Sequence, residues 1–286
     1  MQNGGIYDHI GFGFHRYSTD SHWLVPHFEK MLYDQAMLAM AYIETYQATG
    51  IEEFEETAKE VFTYILRDMT DQKGGFYSAE DADSEGVEGK FYVWTEDEIR
   101  LALKGDEADL IINVYSIDKT GNFRDEVSGE NTGANILHLD KSLTEVAFKN
   151  KESVDGLKER VESARQKLFD VRNERIHPHK DDKILTDWNG LMIAALAKGA
   201  QAFNEPKYAE AAKRAADFIL TGMRREDGRI LHRYRDGHTA ILANADDYAF
   251  LIWGLLELYE TVFDVNYLRT ALDLNSELIK YFWDEQ

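Results

Sequence analysis

Residues 23–46 carry the clearest hydrophobic pattern of the chain, in the segment WLVPHFEKMLYDQAMLAMAYIETY. From Ala36 to Ile43, apolar side chains cover every side of a helix with a 3.6-residue period, and helices of this kind are buried. Pro26 suits a first helical position, because its missing N–H would have no partner there. The pattern therefore predicts a buried helix over about residues 27–48, with a polar start that faces a cavity.

The polar start of this predicted helix holds candidate chemistry. His27, Lys30 and Asp34 share one face at helical spacing, and Tyr33 lies beside them. His27 is the best acid–base candidate because carboxylates and a lysine surround it, and Asp34 is a candidate catalytic carboxylate. Trp23, Lys30 and Tyr33 are candidates for binding a substrate, with the two aromatic rings available for stacking on a ligand.

Three segments of the chain repeat one pattern, which predicts helical hairpins. Each begins with an aspartate and an apolar helix and reaches an aromatic residue twenty or twenty-one positions later: Asp34 and Phe54, Asp187 and Tyr208, Asp247 and Tyr267. The first helices are predicted over about residues 27–48, 186–203 and 245–263, and the amphipathic second helices over about 52–69, 206–223 and 266–282. An apolar helix followed by an amphipathic one predicts an inner and an outer helical layer.

The connections and the middle of the chain are less regular. Turns followed by short extended pieces are predicted at residues 71–77 and 226–231, after the first two hairpins. A strand is predicted over Lys90–Trp94, followed by a helix that begins with a capping box of Thr95 and Glu98. Further helices are predicted at about 107–115, 142–150 and 155–172, with a turn-rich segment over 116–140.

Composition narrows the classes of function. The formal net charge of −21 argues against nucleic acid, anionic membranes and polyanionic substrates, because their approach would be repulsive. The absence of cysteine excludes disulfides and thiolate metal sites in this chain and fits a reducing compartment. No run of about 18 apolar residues is present. We therefore expect a cytoplasmic chain that binds a neutral or cationic small molecule.

Two more polar clusters mark the starts of the second and third predicted hairpins. They comprise Asp181, Asp182, Lys183, Asp187, Trp188 and Asn189, and then Asn244, Asp246, Asp247 and Tyr248. In a ring of hairpins these starts converge on one mouth, which makes Asp187 and Asp247 candidate catalytic residues and Trp188, Asn189 and Tyr248 candidate ligand contacts. Acidic residues in a first helical turn also act as caps and dipole partners, and the sequence leaves that alternative open.

Residues 80–88 form an acidic loop with five carboxylates. Asp81, Asp83 and Glu85 match the first half of an EF-hand calcium loop, but Tyr92 stands at the twelfth position, where a glutamate is required. A calcium site, a solvated loop and one wall of an active-site cup are the three alternatives. In the third, Asp81 is catalytic, and Asp83, Glu88 and Trp94 bind the ligand.

The histidines do not have the spacing of a zinc site, and no cysteine is present to complete one. We therefore predict neither a metal nor a cofactor. His232 and His238 flank a predicted strand and turn, where they either line the mouth or lie on the surface.

Three stretches resemble a known family: GGIYDHIGFGFHRYSTDSHWLVPHFEKMLYDQA, SAEDADSEGVEGKFYVWTEDEI and ILTDWNGLMIAALAKGA, in order over about residues 4–200. They are similar to the signatures of the DUF255 family of thioredoxin-domain-containing, spermatogenesis-associated protein 20-like proteins. Phe12 departs from the family pattern DHIGGGFHRYS, which has glycine at that position.

The resemblance implies an all-α fold, the (α/α) toroid of helical hairpins of six-hairpin glycosidases and N-acylglucosamine 2-epimerases, with short β-hairpins in its loops. Residues 1–286 would form a single partial toroid domain, and the family's thioredoxin-like domain, which is absent here, would be its partner. The family's own activity is unassigned, and fold is a weak argument for function.

Two functions follow as hypotheses. The first is a carbohydrate-active isomerase or hydrolase that holds a neutral saccharide in an acidic cup. Epimerisation needs two bases on opposite faces of a carbon, such as His27 with His232 or His238, whereas hydrolysis needs two carboxyl groups at a fixed separation. The second is a non-catalytic platform that binds a ligand or protein for the thioredoxin-like domain. An open ring would also expose apolar helix flanks and favour self-association.

Overall fold

The computed structural model describes residues 1–124, 129 and 131–284, and these group into two compact units. The first unit comprises Met1–Glu29 and Asp81–His179, and the second comprises Lys30–Glu80 and Lys180–Gln286. The prediction of a single domain over residues 1–286 stays a prediction. No helix in the described part of the chain has both the length and the apolar character needed to cross a membrane.

Helices dominate both units. The helices are α1 Leu32–Thr49, α2 Glu52–Asp68, α3 Glu96–Ala102, α4 Asp106–Val114, α5 Leu143–Asn150, α6 Val154–Asn173, α7 Thr186–Phe203, α8 Pro206–Gly222, α9 Ala245–Val262 and α10 Val265–Phe282. The strands are β1 Tyr17–Ser18, β2 Pro26–His27, β3 Lys30–Met31, β4 Ala79–Glu80, β5 Asp83–Ser84, β6 Val87–Glu88, β7 Lys180–Asp181, β8 Ile184–Leu185, β9 Leu231–Arg235 and β10 His238–Leu242.

The three predicted helical hairpins are confirmed in the second unit, as α1–α2, α7–α8 and α9–α10. Each second helix buries one apolar side; in α2 that side includes Val61, Phe62 and Ile65. The bounds agree with the predicted ones to within two residues, except at the start of α1. Hydrophobic periodicity located these helices because each must bury a continuous apolar stripe.

The predicted start of α1 is wrong, because the helix begins at Leu32. Pro26 and His27 instead form β2, which pairs with β1, and Lys30 lies in β3, which pairs with β4. Consequently His27, Lys30 and Asp34 do not share a helical face. The backbone before the helix bonds to strands that are distant in sequence, and a local periodicity cannot detect such partners.

Matching turns follow the first two hairpins of the second unit. Residues 70–76 after α2 and residues 224–230 after α8 are each closed by a bridge between their first and last members. Each also has a 2.8 Å N–H···O=C bond across the turn, as the repeat predicts. The strand after each turn pairs with the strand that leads into an inner helix, β4 with β3 and β9 with β8. The repeat thus brings loop side chains beside the starts of α1 and α7.

Helix α7 is the central helix of the second unit and packs against both α1 and α9. It approaches α9 closely at two glycines: a Cβ on Gly190 would lie 2.5 Å from the carbonyl carbon of Phe250, and one on Gly254 would lie 2.6 Å from the oxygen of Gly190. Near the other ends of the two helices, the Gln201 amide donates to the Thr261 hydroxyl at 2.7 Å. The two helices are therefore parallel, and their starts lie side by side.

In the first unit, a buried ion pair fixes the N-terminal loop to α6. The Arg172 guanidinium donates to both carboxylate oxygens of Asp8, at 2.7 and 2.9 Å. One of these oxygens also accepts from the N–H groups of Ile10 and Gly11. Phe12 has a φ of 70°, a left-handed conformation that glycine adopts at lower cost. That cost is offset by the packing of the Phe12 ring under the Arg165 guanidinium, which lies 4.4 Å away.

The strand predicted over Lys90–Trp94 is wrong. The N–H groups of Tyr92 and Val93 both donate to the carbonyl of Gly89, so the run forms a turn, and only Trp94 makes a bridge, to Asn135. A run of aromatic residues indicates that the side chains are buried, and a turn can bury them as well as a strand can. The capping box at the start of α3 is confirmed. Part of the turn-rich segment predicted over residues 116–140 lies outside the described residues.

Candidate functional site

The starts of the three inner helices of the second unit lie together, as the repeat predicts. At the start of α1, the Tyr33 ring meets the Trp188 ring of α7 edge-on, with 4.8 Å between centroids. The backbone N–H of Asp187 in α7 donates to the carboxylate of Asp247 in α9 at 3.0 Å. Asp34, Asp187 and Asp247 therefore belong to one group of neighbouring helix ends.

Asp247 is the buried centre of this group. Its side chain is inaccessible to solvent, and it accepts hydrogen bonds from three directions. One oxygen accepts from Asp187 N–H, the other accepts from Asn244 N–H at 2.7 Å, and the ring of His232 approaches both. The cap role that the sequence left open for Asp247 is thus real, because its bond to Asn244 N–H forms half of a capping box. The same carboxylate also holds a histidine.

His232 is positioned by β9 and by Asp247. Its Nδ1 lies 2.9 and 3.0 Å from the two oxygens of Asp247, and an ionised carboxylate can only accept hydrogen bonds. The tautomer with its proton on Nδ1 is the one that satisfies this contact. Strand β9 is fixed in turn to α7, because the Thr186 hydroxyl donates to the carbonyl of Leu231 at 2.7 Å. Within the described residues, Nε2 of His232 makes no hydrogen bond, and the side chain is about a fifth exposed.

Asp187 completes the cluster. Burial, together with the negative charge of Asp247, raises the pKa of Asp187 from 3.8 to about 6. Its carboxylate still accepts a hydrogen bond from the N–H of Trp188 at 2.8 Å, which opposes the rise. A carboxyl group of this kind is partly protonated near neutral pH and can donate a proton.

An oxygen of Asp187, a ring nitrogen of His232 and an oxygen of Asp247 lie within 4.8 Å of one another. These three are the donor set that could hold a cation in the described residues. However, the two oxygens of Asp247 already form hydrogen bonds with Nδ1 of His232 and with two backbone N–H groups. The arrangement favours proton transfer, and the absence of a metal and of a cofactor stays a prediction.

The other candidates in the second unit have mainly structural contacts. Asn189 is buried, and its amide bridges the backbone N–H and C=O of Phe76. Lys30 is also buried, with its ammonium 4.4 Å above the Tyr64 ring. Tyr248 is 2% exposed and donates to Glu277 at 3.2 Å. These positions do not agree with direct ligand contacts by Asn189 and Lys30.

In the first unit, His27 is held between two carboxylates. Its Nδ1 lies 2.7 Å from Glu88 and its Nε2 lies 3.0 Å from Glu29, while the Tyr17 ring stacks on it at 5.0 Å. Both ring nitrogens are therefore engaged, and neither is available as a base in this arrangement. Glu88, predicted as a ligand contact, is one of the two partners.

The remaining candidates also lie in the first unit. Asp81 and Asp83 are exposed at the short β5–β6 hairpin, and the N–H of Asp83 donates to Asp81 at 3.3 Å. Trp23 is 44% exposed. Trp94 is fully buried in the hydrophobic core, with the Arg175 guanidinium 4.0 Å from its ring. The stacking role expected of Trp94 does not agree with this burial.

His232 is the residue that sequence reasoning undervalued. The sequence placed it beside a strand and turn without a partner, whereas the structure joins it to Asp247 across fifteen positions. One signal was present in the repeat, because the segment after each outer helix occupies the same place in the hairpin pattern. Strand β9, which carries His232, corresponds to β4, and both pair with the strand before an inner helix.

Comparisons with known proteins place this chain among longer relatives. Human spermatogenesis-associated protein 20 is 37% identical over 312 residues, which span 100% of this chain and 40% of the human protein. The uncharacterized protein B0495.5 of Caenorhabditis elegans is 37% identical over 312 residues, spanning 99% of this chain and 42% of that protein. No family model matches. The chain thus spans about 40% of the length of these curated relatives.

Solved structures similar to this chain show its fold. A glycoside hydrolase family 76 mannosidase, Bt3792 of Bacteroides thetaiotaomicron, has a TM-score of 0.51 at 11% identity, over 95% of this chain and 48% of that one. The unsaturated glucuronyl hydrolase of Bacillus sp. GL1 has a TM-score of 0.51 at 12% identity, over 98% and 54%. The expected all-α fold, an (α/α) toroid of helical hairpins of the six-hairpin glycosidase type, is confirmed.

Proposed function

We propose that this chain belongs to the spermatogenesis-associated protein 20-like family and that its second unit transfers protons on a neutral saccharide. The family assignment is supported by 37% identity across the whole chain. The saccharide is supported by a fold shared with a mannosidase and a glucuronyl hydrolase, and by the aromatic pair of Tyr33 and Trp188 beside the acidic group. The thioredoxin-like domain implied by the DUF255 resemblance is the proposed partner.

The observation that carries the proposal is the contact of His232 with buried Asp247, next to Asp187 with its raised pKa. Asp247 does not reach a ligand, because it is fully buried, and it acts as a positioning residue. It fixes the proton on Nδ1 and stabilises the positive charge that His232 acquires when Nε2 accepts a proton. His232 is then the base, and Asp187 in its protonated form is the acid.

This division favours aldose–ketose isomerisation over hydrolysis. Isomerisation begins with the removal of a proton from a carbon beside a carbonyl, which needs a base near neutrality and an acid for the carbonyl oxygen. Epimerisation would also need a second group on the opposite face of that carbon. Hydrolysis by Asp187 and Asp247 would need Asp247 to face the substrate, and its burial prevents that. The saccharide ring would lie against the Trp188 and Tyr33 rings, whose edge-on contact gives them fixed orientations.

The test is incubation of the chain in D2O with a panel of neutral sugars that includes glucose, mannose, N-acetylglucosamine and cellobiose. We expect one of them to incorporate deuterium at C2, measured by NMR, and to give the corresponding ketose. His232→Gln and Asp187→Asn should abolish the exchange. His238→Gln is the matched control, because His238 is an exposed histidine of the same β-hairpin, and it should leave the exchange unchanged.

The other outcomes separate the alternatives. Release of a reducing sugar without deuterium incorporation would replace the isomerase by a hydrolase. Saturable sugar binding without turnover would support the non-catalytic platform and remove the acid–base roles. Exchange that survives in His232→Gln would overturn the site assignment even if the activity is real.

A further inference from the structure

The second unit has a groove that shares no residue with the Asp187 cluster and is lined by more cationic than acidic side chains. It has a volume of about 470 Å³ and is lined by Lys73, Arg214, Asp217, Phe218, Thr221, Gly222 and Tyr234. This volume lies in the range of small-molecule sites. The groove combines two cationic side chains with two aromatic rings, and none of its residues belongs to the proposed acid–base site.

Neither of the two cations forms an ion pair with a carboxylate in the described part of the chain. Across the described part of the chain, no carboxylate oxygen lies within 4.0 Å of Lys73 Nζ or of the Arg214 guanidinium. Asp71, which follows α2, is already bonded to the N–H of Lys73 and to the Tyr77 hydroxyl. Asp217, which also lines the groove, accepts from Tyr267 at 3.0 Å. The lining thus has two cations and one carboxylate, in a chain with a net charge of −21.

The Lys73 ammonium and the two aromatic rings of the groove hold one another in place. Lys73 Nζ donates to the Tyr234 hydroxyl at 2.7 Å, which fixes the ammonium and leaves the hydroxyl hydrogen of Tyr234 able to donate. The Phe218 and Tyr234 rings meet at 90°, with 5.0 Å between centroids. Fixed donors beside a fixed apolar surface are the features that orient a small ligand.

We infer that this groove binds a small ring-bearing monocarboxylate, with the carboxylate between Lys73 and Arg214 and the ring against Phe218. Guanidinium and ammonium groups both bind carboxylates through charge-assisted hydrogen bonds. A single negative charge fits better than several, because the whole chain repels polyanions at long range. Aromatic acids and uronic acids are the two sources of such a ligand, because both carry one carboxylate on a six-membered ring.

The experiment measures binding by ligand-observed saturation-transfer NMR and by isothermal titration. Benzoate and glucuronate represent the two sources, and benzamide and glucose are their neutral counterparts. We expect at least one carboxylate to bind saturably, its neutral counterpart to bind at least tenfold more weakly, and added NaCl to weaken the binding.

The variant K73Q/R214Q should lose this binding by at least tenfold. The control is K104Q/R269Q, which changes the net charge equally at two exposed positions outside the groove. The inference is overturned if neither carboxylate binds saturably, if the neutral counterpart binds equally well, or if K104Q/R269Q reduces binding as much as K73Q/R214Q. Thermal unfolding of both variants checks that each is folded.

Discussion

Replacing Asp187 by asparagine should stabilise the protein at neutral pH while removing the proposed activity. The pKa of Asp187 is raised from 3.8 to about 6 in the folded protein, mainly by burial and then by the charge of Asp247. A group with a raised pKa binds its proton more tightly when folded. Its contribution to stability is therefore present at pH 3.8 and below, and is lost as the pH rises through about 6.

The magnitude follows from that rise. A change in pKa from 3.8 to about 6, at 1.36 kcal/mol for each tenfold change in proton affinity, corresponds to a cost of about 3 kcal/mol above pH 7. Asp187 is partly exposed, and solvent screening reduces this to about 1–2 kcal/mol. Asparagine keeps the oxygen that accepts from Trp188 N–H but carries no charge. We therefore expect Asp187→Asn to raise the Tm by about 3–6 °C at pH 7.5.

The assay is thermal unfolding followed by circular dichroism at pH 4 and pH 7.5. The gain should nearly disappear at pH 4, because the wild-type carboxyl group is then protonated in the folded state. Asp246→Asn is the control, since Asp246 is exposed in the first turn of α9, and it should not reproduce this pH-dependent gain. A gain of the same size at both pH values, or a loss of stability at pH 7.5, would refute the electrostatic reasoning.

Three other predictions concern the scaffold. Arg172→Ala should lower the free energy of unfolding in urea by about 3–5 kcal/mol, because it leaves the Asp8 carboxylate buried without its ion-pair partner; a loss below 1 kcal/mol would contradict this role. Gly190→Ala should destabilise the protein by more than 2 kcal/mol in the same assay, because the new Cβ would lie about 2.5 Å from the α9 backbone. Gly222→Ala is the control: its new Cβ would lie 3.7 Å from the nearest atom, and the change should be neutral or stabilising. Burial lowers the pKa of His9 from 6.5 to about 4, so its contribution to stability is full above pH 6.5 and is lost as the pH falls from 6.5 to 4. His9→Gln should flatten this decline. An equal decline in the wild type and the variant would exclude His9 as its cause.

The helical hairpins could be predicted from the sequence because their signals are local. An inner helix such as α7 is apolar on nearly every side, and an outer helix such as α2 is amphipathic at helical spacing. The capping box at Thr95 and the matching turns after α2 and α8 also depend on residues close in the chain. Each of these features fixes its own backbone without help from distant segments.

The same locality explains the errors. The segment before α1 looked helical because Pro26 and the apolar spacing fit a first turn, yet its backbone is committed to β1 and β4. The Lys90–Trp94 run looked extended because its residues favour strands, whereas burial of those rings is satisfied by a turn. In both places tertiary partners outweighed intrinsic preference.

The sequence by itself determined which helices exist, which of their faces are buried, and that acidic residues stand at the starts of the inner ones. Only the tertiary structure decided what those acids do, because each role depends on a neighbour brought from elsewhere in the chain. Asp247 meets His232 fifteen positions away and Asp187 N–H sixty positions away, through the packing of α9 on α7 and the pairing of β9 with β8. The burial created by that packing removes water from the cluster, and the loss of water raises the pKa of Asp187. The proposed roles of acid, base and positioning residue all depend on that packing.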